Sequence, residues 1–169
     1  MPRKIRPIRV CGDVAYVPLT QGRTAIIDAA DAALVGGRNW YLFARLDTAY
    51  ARASDYSGAK QRTVLLHRVL MGEPEGLEVD HDDGDGLNNR RGNLRVATHS
   101  QNMRNSRISR RNTSGFKGVY FHKKAGKWAS QIKFNGKKKY IGCFASPEEA
   151  HEAYCRASKE LHGDFGRTS

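Results

Sequence analysis

One stretch of the chain concentrates side chains that could hydrolyse a phosphodiester bond. Asp80 and His81 are adjacent, Asn93 follows His81 by twelve residues, and Asn102 follows Asn93 by nine. An imidazole, with an ordinary pKa of about 6.5, can deprotonate water at neutral pH. Carboxylate and carboxamide oxygens are ligands for hard divalent cations. A cation and a base together would supply the nucleophile and the charge neutralisation that hydrolysis needs.

These four side chains can share a site only if the backbone between them is irregular. A regular strand would point Asp80 and His81 to opposite faces, but glycines soon after them permit an irregular loop. A hairpin loop folded back onto the following helix would bring Asp80 and Asn102 around one ion, with His81 beside it. Asn93 would then brace the loop through backbone hydrogen bonds.

Two other interpretations fit parts of this stretch. An EF-hand calcium loop would need Gly at its sixth position, where Asp85 stands, and Glu at its twelfth, where Arg91 stands. An Asx-rich turn without chemistry is the second alternative. The aspartates not assigned to the ion are predicted to be loop or surface charges: Asp82, Asp83 and Asp85.

The charge of the chain points to a polyanionic partner. The 169 residues carry a net charge of +12 and have a pI of about 9.9. Residues 1–66 contribute +5, residues 67–105 contribute −2 and residues 106–169 contribute +9. A locally acidic segment between two basic ones suits a cation site on a protein that binds nucleic acid, the commonest polyanion, with an anionic membrane surface second.

Cysteine spacing and hydropathy indicate the cellular compartment in which the protein works. Cys11, Cys143 and Cys155 have no paired metal-ligand spacing, which argues against a zinc ribbon or a disulfide framework and fits a reducing cytosol. No apolar run approaches the ~20 residues of a membrane span, and the basic N-terminus lacks an apolar signal core. We therefore expect a cytoplasmic protein with no membrane partner.

The sequence pattern predicts an α+β protein built from several small modules. Residues 1–62 are predicted to form an N-terminal α+β module, with strands at 14–19 and 24–27, a short helix capped by Asp28, and a hairpin over 40–52. We expect this module to contact DNA, although its basic side chains could instead only solvate its surface: Arg38, Arg45, Arg52, Lys60 and Arg62. Residues 63–105 carry the candidate site. Within them, 63–71 is a strand or a helix in which His67 is a buried, hydrogen-bonded core residue. Thr98-x-x-Gln101 has the capping-box form and starts a helix that runs to about Ser109.

The C-terminal segment, 116–169, has clear turn and helix-cap signals that mark where its strands and its helix begin and end. Strands are predicted at 116–122, 127–134 and 137–144, with Asn135-Gly136 as a hairpin turn. A helix starts at Ser146-Pro147 and stops at Gly163, so a three-stranded antiparallel sheet should pack one face on one helix. The other face would carry Gln131, Lys133, Lys138 and Tyr140, a set that can enter a major groove.

Residues 106–115 are predicted to be a basic linker. They are polar, end in Ser-Gly, and hold Arg107, Arg110 and Arg111. Such a composition is suited to following a phosphate backbone.

The central segment resembles the HNH endonucleases, and most of all the phage homing enzymes whose third motif residue is Asn. The likeness lies in Asp80-His81, Asn93-Leu94-Arg95 and the run from Thr98 to Asn102, together with Leu65-Leu66-His67-Arg68 and Leu87-Asn88-Asn89-Arg90. The resemblance implies a ββα-metal fold around one divalent ion. It implies that His81 is the general base, that Asp80 and Asn102 bind the metal, and that Asn93 braces the loop.

Residues 114–165 resemble the APETALA-type (ethylene-response-factor-like) DNA-binding domain, which also occurs attached to phage HNH nucleases. Matching runs include Gly118-Val119-Tyr120 and Tyr140-Ile141-Gly142. The family's DNA-contact positions fall on Lys117, Tyr120, Gln131, Lys133, Lys138 and Tyr140. Several of these are Arg or Trp in plant members, and Lys cannot make the planar bidentate contact with guanine. Phosphate binding is therefore expected more than sharp sequence specificity.

These resemblances predict an HNH endonuclease of the homing type that hydrolyses phosphodiester bonds in double-stranded DNA. The expected cofactor is one Mg²⁺ or Mn²⁺ ion. We expect a monomer that nicks DNA, because one site makes one cut per encounter, and that works in the bacterial host cytosol if it is phage-encoded. The alternative is a non-catalytic DNA-binding regulator with a decayed HNH fold.

Overall fold

The computed structural model describes residues 4–45, 48–56, 58–105, 108–109 and 111–168. The chain forms two compact units, Met1–Thr98 and His99–Ser169. Both contain antiparallel strands and helices, so the predicted α+β class is confirmed. No helix in the described part of the chain is long and apolar enough to span a bilayer.

The first unit begins with a three-stranded antiparallel sheet. Its strands are β1 (Arg9–Cys11), β2 (Val14–Pro18) and β3 (Thr24–Asp28), in that order. Alternate residues of β2 and β3 are buried, which is the period-2 pattern of a sheet with one face on a core. A 3₁₀ turn over Ala29–Asp31 leads into a one-turn helix, α1 (Ala32–Val35).

A second antiparallel sheet contains β4 (Tyr41–Arg45), β5 (Thr48–Asp55) and β6 (Arg62–Leu65). Helix α2 (Leu66–Leu70) follows β6 directly. The apolar stretch that the sequence assigned to a strand or a helix is thus both in succession. Because the chain changes from strand to helix at this point, Leu66 and Leu70 lie in the core, where they are 0% and 2% exposed.

The candidate site lies on a third, two-stranded sheet of the first unit. Strand β7 (Glu78–His81) pairs antiparallel with β8 (Leu94–Ala97), which places Asp80 opposite Arg95 and His81 opposite Leu94. Residues 82–93 form the connecting loop. Apolar side chains of this hairpin and its loop belong to the same buried cluster as those of the first two sheets. The domain boundary predicted near residue 62 therefore lies inside one compact unit.

The second unit begins with α3 (His99–Arg104). The helix has six residues, so the prediction that it runs to Ser109 is wrong: Ile108 and Ser109 are not helical. Asn105 closes the helix, and its amide hydrogen is shared between Gln101 O (3.3 Å) and Asn102 O (3.1 Å).

The rest of this unit is a sheet of β9 (Val119–His122), β10 (Lys127–Phe134) and β11 (Lys137–Phe144), with β10 in the centre. Helix α4 (Pro147–His162) packs on it through buried Ala150, Ala153 and Tyr154. Ser146 Oγ accepts a hydrogen bond from Glu149 N at 3.2 Å, as predicted for the helix start. Gly118 has φ +75°, and a Cβ there would lie 2.3 Å from the Tyr154 ring, so only glycine allows this close packing.

Candidate active site

His81 is the last residue of β7 and is buried, with 5% of its surface exposed. Its Nε2 lies 3.2 Å from Oδ1 of Asn89, across the connecting loop. Asn89 is fully buried, and its Nδ2 donates to Gly86 O at 3.3 Å. Because that bond fixes which amide atom faces the ring, Asn89 presents an acceptor to His81. The imidazole must therefore donate its Nε2–H, which leaves the lone pair on Nδ1.

Burial lowers the pKa of His81 below its usual 6.5, while the Asn89 hydrogen bond and the Asp83 carboxylate act in the opposite direction. The ring is therefore neutral at pH 7. A neutral imidazole of fixed tautomer, with Nδ1 as the basic nitrogen, is the form that can take a proton from water.

His67 packs against His81 in the same buried pocket. The two ring centroids are 4.9 Å apart in an edge-to-face arrangement, and Tyr50 lies 5.5 Å from His67 and 5.9 Å from His81. Burial, the neighbouring His81 and Arg68 lower the pKa of His67 to about 3. The predicted burial is confirmed, but His67 Nδ1 is buried without a hydrogen-bond partner among the described residues. His67 therefore acts as a neutral packing ring.

Asn93 connects both ends of the loop. Its Oδ1 accepts from Asp83 N (3.1 Å), and its Nδ2 donates to Asp83 Oδ1 (2.9 Å) and to Asn88 O (2.7 Å). Its own carbonyl accepts from Asp82 N at 2.9 Å. These are the contacts of a loop-bracing residue.

Asp83 is the partner of Asn93 and has a larger structural role than a surface charge. Its carboxylate also accepts from Asp85 N (2.7 Å) and Asn88 Nδ2 (2.7 Å). Burial would raise its pKa, but these hydrogen bonds outweigh burial and hold the pKa below its usual value. Asp83 is an exposed loop residue, as predicted, and its carboxylate in addition organises the loop.

Backbone hydrogen bonds join the N-terminal sheet to the connecting loop. Asn89 N donates to Ile26 O (2.7 Å), and Ile26 N donates to Leu87 O (2.8 Å). Ile26 of β3 and Asn88 thus form a parallel bridge. The residue that orients His81 is itself held by the first sheet.

Two loop arginines add ion pairs to the same surface. Arg91 makes a bidentate contact with Asp31 (2.8 and 2.9 Å), and Arg90 pairs with Asp28 (2.9 Å) and Asp13 (3.0 Å). Asp28 Oδ2 also accepts from Arg91 N at 2.8 Å. Asp28 stands at the N-cap of the 3₁₀ turn before α1, as predicted, but it makes no side-chain cap bond, because its carboxylate is engaged by the loop.

Gly86 brings the loop against β5. A Cβ at this position would lie 2.3 Å from Ala49 O and 2.6 Å from the Tyr50 ring. The close approach therefore requires glycine. It sets the distance between the loop and the Tyr50 ring that packs on His81.

Asp80 is 5% exposed and is paired with Arg95, whose Nε and terminal nitrogen lie 3.0 and 2.9 Å from Asp80 Oδ2. Arg95 also contacts Asp82 Oδ1 at 2.7 Å. The other predicted ligand, Asn102, lies in α3 of the second unit and is half-buried. Among the described residues no three His, Cys, Asp or Glu side chains form a metal cage.

The predicted ligands, Asp80 and Asn102, have the chemistry of ligands for a hard cation whose coordination shell is completed by water and substrate. A carboxylate and a carboxamide offer oxygen donors only, as Mg²⁺ and Mn²⁺ prefer. Mg²⁺ usually takes one or two protein carboxylates and completes its shell with water and substrate phosphate. A site with Asp80 and Asn102 as ligands would be of this open kind.

The predicted DNA-contact residues of the second unit differ in their position on the sheet and in their exposure to solvent. The register pairs Gln131 with Tyr140 and Lys133 with Lys138, so these four share one face of the sheet. Tyr140 is 59% and Tyr120 36% exposed. Lys117 is half-buried, and its Nζ donates to Arg104 O at 2.8 Å. In the linker Arg111 is exposed, whereas Arg107 and Arg110 lie outside the described residues.

Sequence reasoning missed Asn89 and Arg95 as site residues. Both stand inside runs that carry the family resemblance, which was a usable signal. What they contact depends on the path of the loop, which spacing does not reveal.

Two family models match the chain, one over the candidate site and one over the C-terminal sheet and helix. Residues 64–104 match the HNH endonuclease model, which covers the β7–β8 hairpin and α3. Residues 114–164 match the AP2 domain model, which covers the C-terminal sheet and α4.

Curated relatives extend the match over most of the chain. Protein 3.8 of Escherichia phage T7 is 35% identical over 110 residues, which are 64% of this chain and 90% of the relative. An uncharacterized HNH endonuclease of Acanthamoeba polyphaga mimivirus is 30% identical over 146 residues, 86% of this chain and 74% of the relative. The chain belongs to the HNH endonuclease family.

The C-terminal part has a separate relative among plant proteins. An ethylene-responsive transcription factor of Arabidopsis thaliana is 40% identical over 60 residues, which are 34% of this chain and 18% of that protein. No solved structure gave a significant match.

Proposed function

We propose that the protein is a metal-dependent endonuclease that cleaves double-stranded DNA. The observation that carries the proposal is the state of His81: buried, neutral and oriented by Asn89, with Nδ1 as its basic nitrogen. A neutral oriented imidazole beside an aspartate is a general base beside a cation ligand. Family membership supports the nuclease class.

His81 takes the proton from the attacking water through Nδ1 and holds it while the phosphodiester is displaced. The Asn89 amide oxygen keeps accepting the Nε2–H throughout, so it stabilises the imidazolium that forms. The buried rings of His67 and Tyr50 confine the imidazole to one plane. Asn93 keeps the ends of the loop together so that this arrangement survives DNA binding.

Asp80 and Asn102 would hold one Mg²⁺ or Mn²⁺ ion. The ion, when bound, supplies charge neutralisation on the phosphoryl oxygens and on the departing 3′ oxygen. Arg95 orients the Asp80 carboxylate from the neighbouring strand. Ligand partners of this kind typically tune metal affinity.

The C-terminal domain would hold DNA through the sheet face of Gln131, Lys133, Lys138 and Tyr140, with Tyr120 beside it. Lysines on this face favour phosphate contacts over guanine readout. Arg107, Arg110 and Arg111 of the linker would add contacts to the backbone. The homing-type role and action in a bacterial host cytosol remain predictions from the sequence.

We further propose that a monomer nicks one strand, because one His81 site attacks one phosphodiester per encounter. A supercoiled plasmid assay with and without Mn²⁺ tests the proposal. Metal-dependent conversion to the open-circular form supports nicking, and direct conversion to the linear form supports double-strand cleavage. A chain that binds the plasmid but leaves it intact under both conditions would instead be a non-catalytic DNA-binding regulator.

A further inference from the structure

The second unit contains a cavity of about 430 Å³, whose lining includes Lys133 of the sheet face proposed to bind DNA. It is bounded by α3, by the hairpin between β10 and β11, and by α4. The side chains that give it its character are His99, Arg104, Lys117, Lys133, Tyr154 and His162.

The lining is one-sided in charge. Arg104, Lys117 and Lys133 are cationic, and none of the described residues that line the cavity carries a carboxylate. Lys117 is half-buried and donates to Arg104 O at 2.8 Å. Burial, together with nearby Arg167, lowers the pKa of Lys117 to about 8, so the ammonium still predominates at pH 7. An anion bound in the cavity would be attracted by all of these positive charges.

His162 adds an unused hydrogen-bonding atom to the same cavity. The residue is 8% exposed, and its Nδ1 is buried without a hydrogen-bond partner among the described residues. Its ring stacks on Phe134 with centroids 6.0 Å apart, and the Arg104 guanidinium carbon lies 5.5 Å from the centroid of the same Phe134 ring. Unlike the buried ring of His67, this ring borders a cavity, so its nitrogen is within reach of a bound ligand or water.

We propose that this cavity binds a phosphate group of the DNA backbone. Arg104 and Lys117 donate to the non-bridging oxygens, and His162 donates a ring N–H to the same phosphate. A phosphodiester fits because it offers several acceptor oxygens to a lining dominated by donors. The proposal rests on the proposed function for its ligand. It adds Arg104 and His162 to the DNA contacts and gives Lys117 a phosphate, not a base, as its partner.

Salt dependence of DNA binding by the full chain tests the contact. Binding to a duplex is measured in EDTA, which prevents cleavage, for the unaltered chain and for Lys117→Met and Arg104→Gln. Each loss of a phosphate contact should reduce the slope of log K against log salt by about 0.9. Lys159→Met is the matched control, because Lys159 is exposed on α4 and does not line the cavity; its slope should not change.

Inorganic phosphate probes the cavity directly. Titration of the full chain, followed by the ring resonances of His162, should show a saturable shift that Lys117→Met abolishes. Melting curves establish that each variant is folded. Unchanged salt slopes in both cavity variants would overturn the proposal, and saturable phosphate binding beside unchanged slopes would overturn the assignment to DNA. Absence of DNA binding by the unaltered chain would instead refute the proposed function.

Discussion

His81 Nε2 lies 3.2 Å from Asn89 Oδ1, and Asn89 is in turn hydrogen-bonded to Ile26 of the first sheet. The proposed base is therefore oriented by a residue that the N-terminal sheet holds in place. If His81 is the base, the first 60 residues support catalysis through this contact without needing to touch DNA.

Removal of the acceptor at Asn89 should slow cleavage while leaving DNA binding intact. Asn89→Leu keeps the volume but cannot accept the Nε2–H, so we expect a loss of about 10- to 100-fold in single-turnover rate. Asn89→Asp keeps an acceptor and should retain more activity than Asn89→Leu. Nitrogen-15 shifts of His81 would report the tautomer. Equal rates for Asn89→Leu and the unaltered chain would contradict the assigned role.

Arg91 should stabilise the first unit through its contact with Asp31. Asp31 is 6% exposed, so Arg91→Ala leaves a nearly buried carboxylate without its bidentate partner. We expect a loss of about 1–3 kcal/mol in the free energy of unfolding, measured with urea. Asp31→Asn should recover part of this loss in the Arg91→Ala background. Independent effects of the two substitutions would indicate that the pair is not coupled.

Gly86→Ala should disturb the site, whereas Gly92→Ala should not. A Cβ on Gly86 would meet Ala49 O at 2.3 Å, but one on Gly92 has no atom within 4 Å. We expect about 1–3 kcal/mol of destabilisation for the first variant, from thermal or urea unfolding, and little change for the second. Hydrogen exchange in the loop should rise only in Gly86→Ala. Similar behaviour of the two variants would show that the close contact is not maintained in solution.

Acid should destabilise the first unit through His67. Its pKa is about 3 in the folded chain and about 6.5 when unfolded, so between these values the unfolded state binds more protons. Stability is therefore unaffected above about pH 6.5 and falls as the pH drops below it, by up to about 1.4 kcal/mol per pH unit. His67→Phe should remove this part of the slope between pH 6.5 and 4. Parallel pH profiles for the two proteins would mean that His67 is accessible to water.

Much of the architecture could be predicted from local signals. Strands β10 and β11 were bounded correctly because Asn135-Gly136 imposes a tight turn with positive φ at both residues. The start of α4 followed from the Ser146-Pro147 cap. These features depend on a few neighbouring residues, so sequence alone suffices.

Features that depend on distant partners could not be predicted in this way. Asp28 has the residue type of a helix cap, but Arg90 and Arg91 reach it from more than 60 residues away. Asp83 is the exposed loop charge that was predicted, but its contact with Asn93 was not, because Asn93 approaches only when the loop closes. The Asn89 contact with His81 likewise requires β3 to hold the loop, and no spacing within the motif encodes that support.

Plasmid cleavage by His81→Ala in the presence of Mn²⁺ tests the central claim most directly. This variant should bind DNA with the affinity of the unaltered chain, yet lose cleavage by about 100-fold or more, because no other described group is assigned to take the proton. The unaltered chain in EDTA should be equally inactive. Full cleavage by His81→Ala, or by the unaltered chain in EDTA, would contradict the account.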